Sequence, residues 1–178
     1  MLLVVGLFAT TGIAEAEPTQ YVQVDAMIGG ATPVVGPNLL GAVEGGYRLT
    51  SVWWVHGEVG GGPAADDQGK GTNAQLRGGI EARSCTRSNV LCGMLGLDLG
   101  AFRGTWSSSD ASGETEHVVS LVAVPRVGID FGGSHVRGRA GIELDEALAG
   151  DHMSSFAPTT MTNGTIGLEL AAGVAYQW

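Results

Sequence analysis

Residues 165–178 read TIGLELAAGVAYQW, and this stretch decides the fold. Ile166, Leu168, Leu170, Ala172, Val174, Tyr176 and Trp178 fall on one parity; Thr165, Gly167, Glu169, Ala171, Gly173, Ala175 and Gln177 fall on the other. Period-two alternation over this length is a β-strand with one apolar face. The apolar face is tall and the opposite face small or polar. That combination suits a strand with lipid on one side and a polar lumen on the other.

The same alternation recurs upstream. Residues 21–30 set Val22, Val24, Ala26 and Ile28 against Gln23 and Asp25. Residues 39–49, 52–62, 73–84, 92–103, 117–131 and 135–145 repeat the pattern, which with the last stretch predicts eight strands. Each is close to the roughly 9–11 residues that cross a bilayer at a tilt. The second, fourth and sixth connections, at 50–51, 85–91 and 132–134, are tight. The others, at 32–37, 63–71, 104–115 and 149–161, are longer and rich in Pro, Gly, Ser or Asp. Short turns at one end and longer loops at the other predict an all-β, antiparallel up-and-down transmembrane barrel. Pro125 is the misfit, because a closed barrel has no edge to excuse its missing N–H, and a bulge is expected there.

Composition agrees. The chain has 178 residues, 44% of them hydrophobic, with 30 glycines, a single lysine (Lys70) and a formal charge of −9. Soluble β-proteins normally use Lys as a solvated guard on strand edges, and the acidic balance argues against nucleic acid as a partner. Residues 1–16 read as a secretory signal peptide, with an apolar run at 2–9 and Ala14-Glu15-Ala16 as the cleavage motif. Residues 17–178 would then be the barrel domain, in an oxidising compartment that favours a disulfide. Cys85 and Cys92 flank the fourth connection, and parity puts both on one face, so they are expected to bridge.

Parity also sorts the charges. Asp25, Glu44, Glu58, Glu81, Asp98, Asp130, Glu143, Asp145 and Glu169 share the inward face with Arg48, His56, Arg77, Arg83, Arg126, Arg137 and Arg139. An eight-stranded barrel is just wide enough for side chains to fill it. The expectation is therefore a lumen plugged by ion pairs, with inward glycines such as Gly46, Gly79, Gly96, Gly128 and Gly141 making room for arginines. Nine acids outnumber the arginines, so some should be protonated or lie at a wet end, Asp145 among them. On the outward face, Tyr47, Trp53, Phe131, Tyr176 and Trp178 gather near the short-turn end as an aromatic girdle. For the sixth turn, Gly133-Ser134 is the expected hairpin, setting Asp130 opposite Arg137 and Gly128 opposite Arg139. A turn at Gly132-Gly133 would instead oppose Arg126 to Arg139, which like charges disfavour.

These features together resemble the small eight-stranded bacterial outer-membrane barrels of the OmpA/OmpX kind. The resemblance is one of architecture and carries no activity. It implies outer-membrane lipid and lipopolysaccharide as surroundings, and a barrel-assembly machinery that recognises the terminal aromatic strand, here residues 164–178 with Trp178 last. It also implies a monomer with no cofactor and a structural or surface-interaction role. Loop acids Asp66, Asp67, Asp110, Glu114 and Asp151 would favour cationic partners. Three alternatives stay open: a small pore; a secreted lipocalin-like barrel, with its apolar face inward; and a lipid A-modifying hydrolase. The hydrolase rests on His152-Met153-Ser154, which resembles the His-x-Ser of lipid A deacylase barrels. A loop His-x-Ser without an orienting acid is weak ground for a nucleophile. His56 with Glu44 and Glu58 is a conceivable metal set, although a lumen histidine among carboxylates is more often part of a hydrogen-bonded core. No catalytic residue is assigned.

Overall fold

The computed structural model describes residues 19–30, 38–66, 69–108, 115–150 and 166–178. Eight antiparallel strands form one closed barrel in chain order: β1 (Gln20–Gly30), β2 (Asn38–Arg48), β3 (Trp53–Asp66), β4 (Gly69–Cys85), β5 (Leu91–Ser108), β6 (Thr115–Gly132), β7 (Val136–Gly150) and β8 (Ile166–Gln177). β1 closes on β8 through ten register pairs, from Tyr21↔Gln177 to Gly30↔Leu168. Backbone bonds from Thr19 and Gln20 to the Trp178 carbonyl, and from the Trp178 N–H back to Gln20, finish the seam. The expected signal segment 1–16 and the His152–Ser154 pair lie outside the described residues.

The faces are sorted as parity requires. All nine inward acids are buried, and so are His56 and Arg77, Arg83, Arg126, Arg137 and Arg139. Outside, Leu95, Leu97, Leu99, Val127, Ile142 and Leu170 are 44–63% exposed. This inversion fits a bilayer and contradicts a lipocalin-like barrel, whose apolar face points inward. On β5 the outward apolar run goes from Leu91 to Ala101 and then gives way to Arg103, Thr105 and Ser107. Eleven residues of tilted strand span roughly 25 Å, the height of a membrane barrel's apolar band. The girdle residues Tyr47, Trp53, Phe131, Tyr176 and Trp178 are all about half exposed at the short-turn end. Tyr176 stacks on both Trp178 and His135.

Four expectations are corrected. First, the strands are longer than the apolar alternation: β3 and β4 run through most of 63–71, and β5 and β6 extend into 104–115. Beyond the bilayer a ladder needs only backbone pairing and polar cross-strand contacts, such as Thr72 with Thr105 at 2.8 Å and Ser107 with Thr115 at 3.0 Å. Second, Asp145 is only 4% exposed, because β7 continues to Gly150 and carries the rim past it.

Third, the sixth turn takes neither anticipated register. Asp130 faces Arg139, Arg126 faces Glu143 and Gly132 faces Arg137. This register makes two opposite-charge pairs where the expected one made a single pair. Gly132 turns the chain at φ 141°, a region open to glycine, and the Gly133 N–H bonds the Val136 carbonyl. Fourth, the ladder passes from Ala123↔Glu146 to Arg126↔Glu143 without slipping at Pro125; the register shift lies between Leu121 and Val122. The irregularity sits nearer the loop end, where the strand leaves the apolar band.

Cys85 and Cys92 are directly paired across β4 and β5 and form a disulfide, as parity anticipated. Closing so short a loop stabilises by about 2 kcal/mol in the chain-entropy picture. The Cys85→Ser/Cys92→Ser variant should therefore lose about that much in urea unfolding from liposomes, and unreduced, unfolded wild type should show no free thiol on labelling. Leu97→Arg, at mid-band, should cost about 2–4 kcal/mol in the same assay, and Ser107→Arg, above the band, about 0–1 kcal/mol.

Candidate functional site in the barrel lumen

The inward polar groups of the barrel share a space a few side chains wide, and most of them pair across it. Arg126 on β6 is the hub. Its Nη1 donates to Glu44 Oε2 at 2.6 Å, and its Nη2 donates to Glu81 Oε2 at 2.7 Å and to His56 Nδ1 at 3.2 Å. With Nδ1 accepting, the His56 Nε2–H donates to Asp98 Oδ1 at 2.7 Å. β2, β3, β4, β5 and β6 are thus joined across the lumen rather than around the wall. Gly96 makes this possible, since a Cβ there would stand 3.1 Å from Arg126 Cγ and Nε.

Arg139 repeats the device from β7. It donates to Asp130 Oδ1 at 2.8 Å and to Glu44 Oε1 at 3.0 Å. Arg83 pairs with Glu81 and lies 3.4 Å from Asp130 Oδ2. Its guanidinium also sits 4.3 Å from the Tyr21 ring and 4.4 Å from the Trp54 ring. A buried cation over two aromatic faces gains about 2 kcal/mol or more. Tyr21, which bonds Glu44, occupies the space left by Gly46, where a Cβ would collide with its ring. Arg137 closes the short-turn end by donating to the Asn89 carbonyl at 2.8 Å and to Cys92 Sγ at 3.0 Å. Arg48 is only half buried and donates to the Thr50 carbonyl at its turn, outside this cross-lumen cluster.

Toward the loops the balance changes. Arg77 donates to Glu58 at 2.6 Å, lies 2.7 Å from Glu143 Oε2 and 3.7 Å from Asp145 Oδ1. Gln23 donates to Asp25 at 2.6 Å. Glu169, opposite Glu143 across β7 and β8, is fully buried, and neither of its carboxylate oxygens has a hydrogen-bond partner among the described residues. An apolar cluster of Met27, Leu40 and Ala42 lies beside this region, with Arg77 Nη2 3.4 Å from the Met27 sulfur. The excess acid therefore collects on the loop side. The short-turn half is matched, Glu44, Glu81, Asp98 and Asp130 against Arg83, Arg126, Arg137 and Arg139.

Glu44, His56 and Glu81 have ligand atoms within 4.8 Å of one another, as do Asp25, Glu44 and Glu58. In the first set the Arg126 guanidinium already bonds all three groups, so the position a cation would take is filled. A cavity of about 20 Å³ remains beside Gln23, Asp25, Glu44 and Glu143, room for roughly one water molecule.

The inward residues found by parity are therefore brought together, Arg48 excepted. Alternation had not assigned Tyr21 or Trp54 to the lumen. Their parity, shared with Gln23 and His56, was the available signal. Arg126→Ala should cost about 3 kcal/mol, because it takes one of two arginines from buried Glu44, leaves Glu81 to Arg83 and Arg139, and removes the donor to His56; urea unfolding followed by gel mobility of folded and unfolded bands measures it.

No protein-family model matches the chain, and no curated protein does. Solved structures do. Neisserial surface protein A matches with a TM-score of 0.67 at 16% identity, covering 89% of this chain and 97% of that one. The N-terminal β-barrel domain of Pseudomonas aeruginosa OprF matches with a TM-score of 0.59 at 13% identity over 91% and 98%. The attachment invasion locus protein Ail of Yersinia pestis matches at 0.58 and 10% identity over 91% and 99%. The chain thus shares the closed eight-stranded antiparallel fold of these outer-membrane barrels.

Proposed function

We propose that the protein is an integral outer-membrane barrel whose lumen is a closed ion-pair plug, and that its role is structural or one of surface contact rather than transport or catalysis. The Arg126 contacts to Glu44, Glu81 and His56 carry this reading, because they cross the lumen and use up the polar groups that a pore would leave wet. Wide aqueous channels belong to barrels with more strands. The terminal aromatic strand is the element through which an assembly machinery would engage the chain, and the half-exposed wall fits a monomer solvated by lipid and lipopolysaccharide. With the described inward carboxylates largely committed to arginines, the barrel body offers no free nucleophile–base pair, which favours a non-enzymatic role. Contacts with the outside would fall to the loops.

Planar-bilayer recording tests the plug. Wild type should give no stable single-channel steps, whereas Arg139→Ala, which strips partners from Glu44 and Asp130, should flicker open or leak. Large steady steps from wild type would overturn the plug in favour of a small pore.

A further inference from the structure

The outer wall of β4, β5 and β6 changes chemistry abruptly at the loop-side edge of the apolar band. The register arranges its outward positions as a grid. Leu76, Ala101 and Leu121 form one row across the three strands, and Ala74, Arg103 and Val119 form the next. Above them come Thr72, Thr105 and His117, then Lys70, Ser107 and Thr115. Lys70, Arg103 and His117 are exposed, and Lys70 is the chain's single lysine. No outward position on the described parts of these three strands is a carboxylate, in a chain of net charge −9. Two hydroxyl pairs, Thr72 with Thr105 and Ser107 with Thr115, hold the grid together and leave further donors beside the cations.

We propose that this patch binds the phosphate of an outer-leaflet glycolipid of the lipid A class, with Arg103 and Lys70 as the charged contacts and His117 and the threonine hydroxyls as hydrogen-bond partners. Height selects a lipid over a soluble anion. Arg103 stands one row above the last continuous apolar row, where acyl chains end and headgroups begin. A guanidinium there can hold two phosphate oxygens at once while the Leu76, Ala101 and Leu121 surface below accepts the chains. The inference rests on the outer-membrane reading and adds a lipid site to it.

Barrel reconstituted in phosphatidylcholine nanodiscs doped with bisphosphorylated lipid A, followed by native mass spectrometry of the released complex, tests the site. Wild type should retain lipid A, lose it when the lipid is dephosphorylated, and lose it with added salt. Lys70→Gln/Arg103→Gln should bind at least about tenfold more weakly while keeping the mobility of a folded barrel, and Arg103→Lys should retain most of the binding. Equal retention of phosphorylated and dephosphorylated lipid A by wild type overturns the site, with no variant needed. Equal binding by the folded double variant does the same. So would dependence of a soluble sulfated sugar, but not of lipid A, on these residues. A chain that inserts normally yet ignores phosphate removes only the site; one that fails to insert removes the membrane reading as well.

Discussion

The pairing of β1 with β8 is the contact on which the rest depends. In hydrocarbon an unpaired backbone N–H or carbonyl costs several kcal/mol, so an open edge is not a viable state. Residues far apart in sequence must therefore meet, and the ladder from Tyr21↔Gln177 to Gly30↔Leu168 achieves it. Once closed, the wall fixes which side chains face lipid and which share the lumen. The inside charges and the outside leucines are two consequences of one seam.

The lumen is an expensive solution. Burying arginines and carboxylates carries a desolvation penalty that ion pairing often only offsets, and well-packed apolar groups can do as well. What the charges add is register. Asp130 opposite Arg139 and Arg126 opposite Glu143 define the β6–β7 pairing, while a one-residue slip would turn charged side chains into lipid. Arg126 and Arg139 further connect strands that are not neighbours, which couples the wall across its diameter. The matched half lies toward the short turns, and the acid-rich half around Arg77, Glu143 and Glu169 faces the loops. The short-turn end is sealed by Arg83 between Tyr21 and Trp54 and by Arg137 bound to the Asn89 carbonyl.

Differences between expectation and structure share one cause. Apolar alternation reports where lipid is, and strands extend past it. β5 stays paired through Ser108 although its outward residues turn polar after Ala101. The stretch 104–115 therefore reads as loop by composition, yet its described ends, 104–108 and Thr115, are ladder. Asp145, placed at a rim by the same reasoning, is buried for the same reason.

The sequence alone determined the number of strands, their inward and outward faces, the girdle and the Cys85–Cys92 bridge, because a period of two is a local property and parity carries it from strand to strand. It also determined which charges share the lumen, Arg48 at its turn excepted. Only the tertiary structure decided who pairs with whom. Arg126 could have met any of several carboxylates; the stagger of the closed wall brought it to Glu44, 82 residues away, and to Glu81. The sixth turn was decided the same way. A local preference for a two-residue Gly-Ser hairpin is worth less than two buried opposite-charge pairs and the β7–β8 contacts that hold His135 against Tyr176.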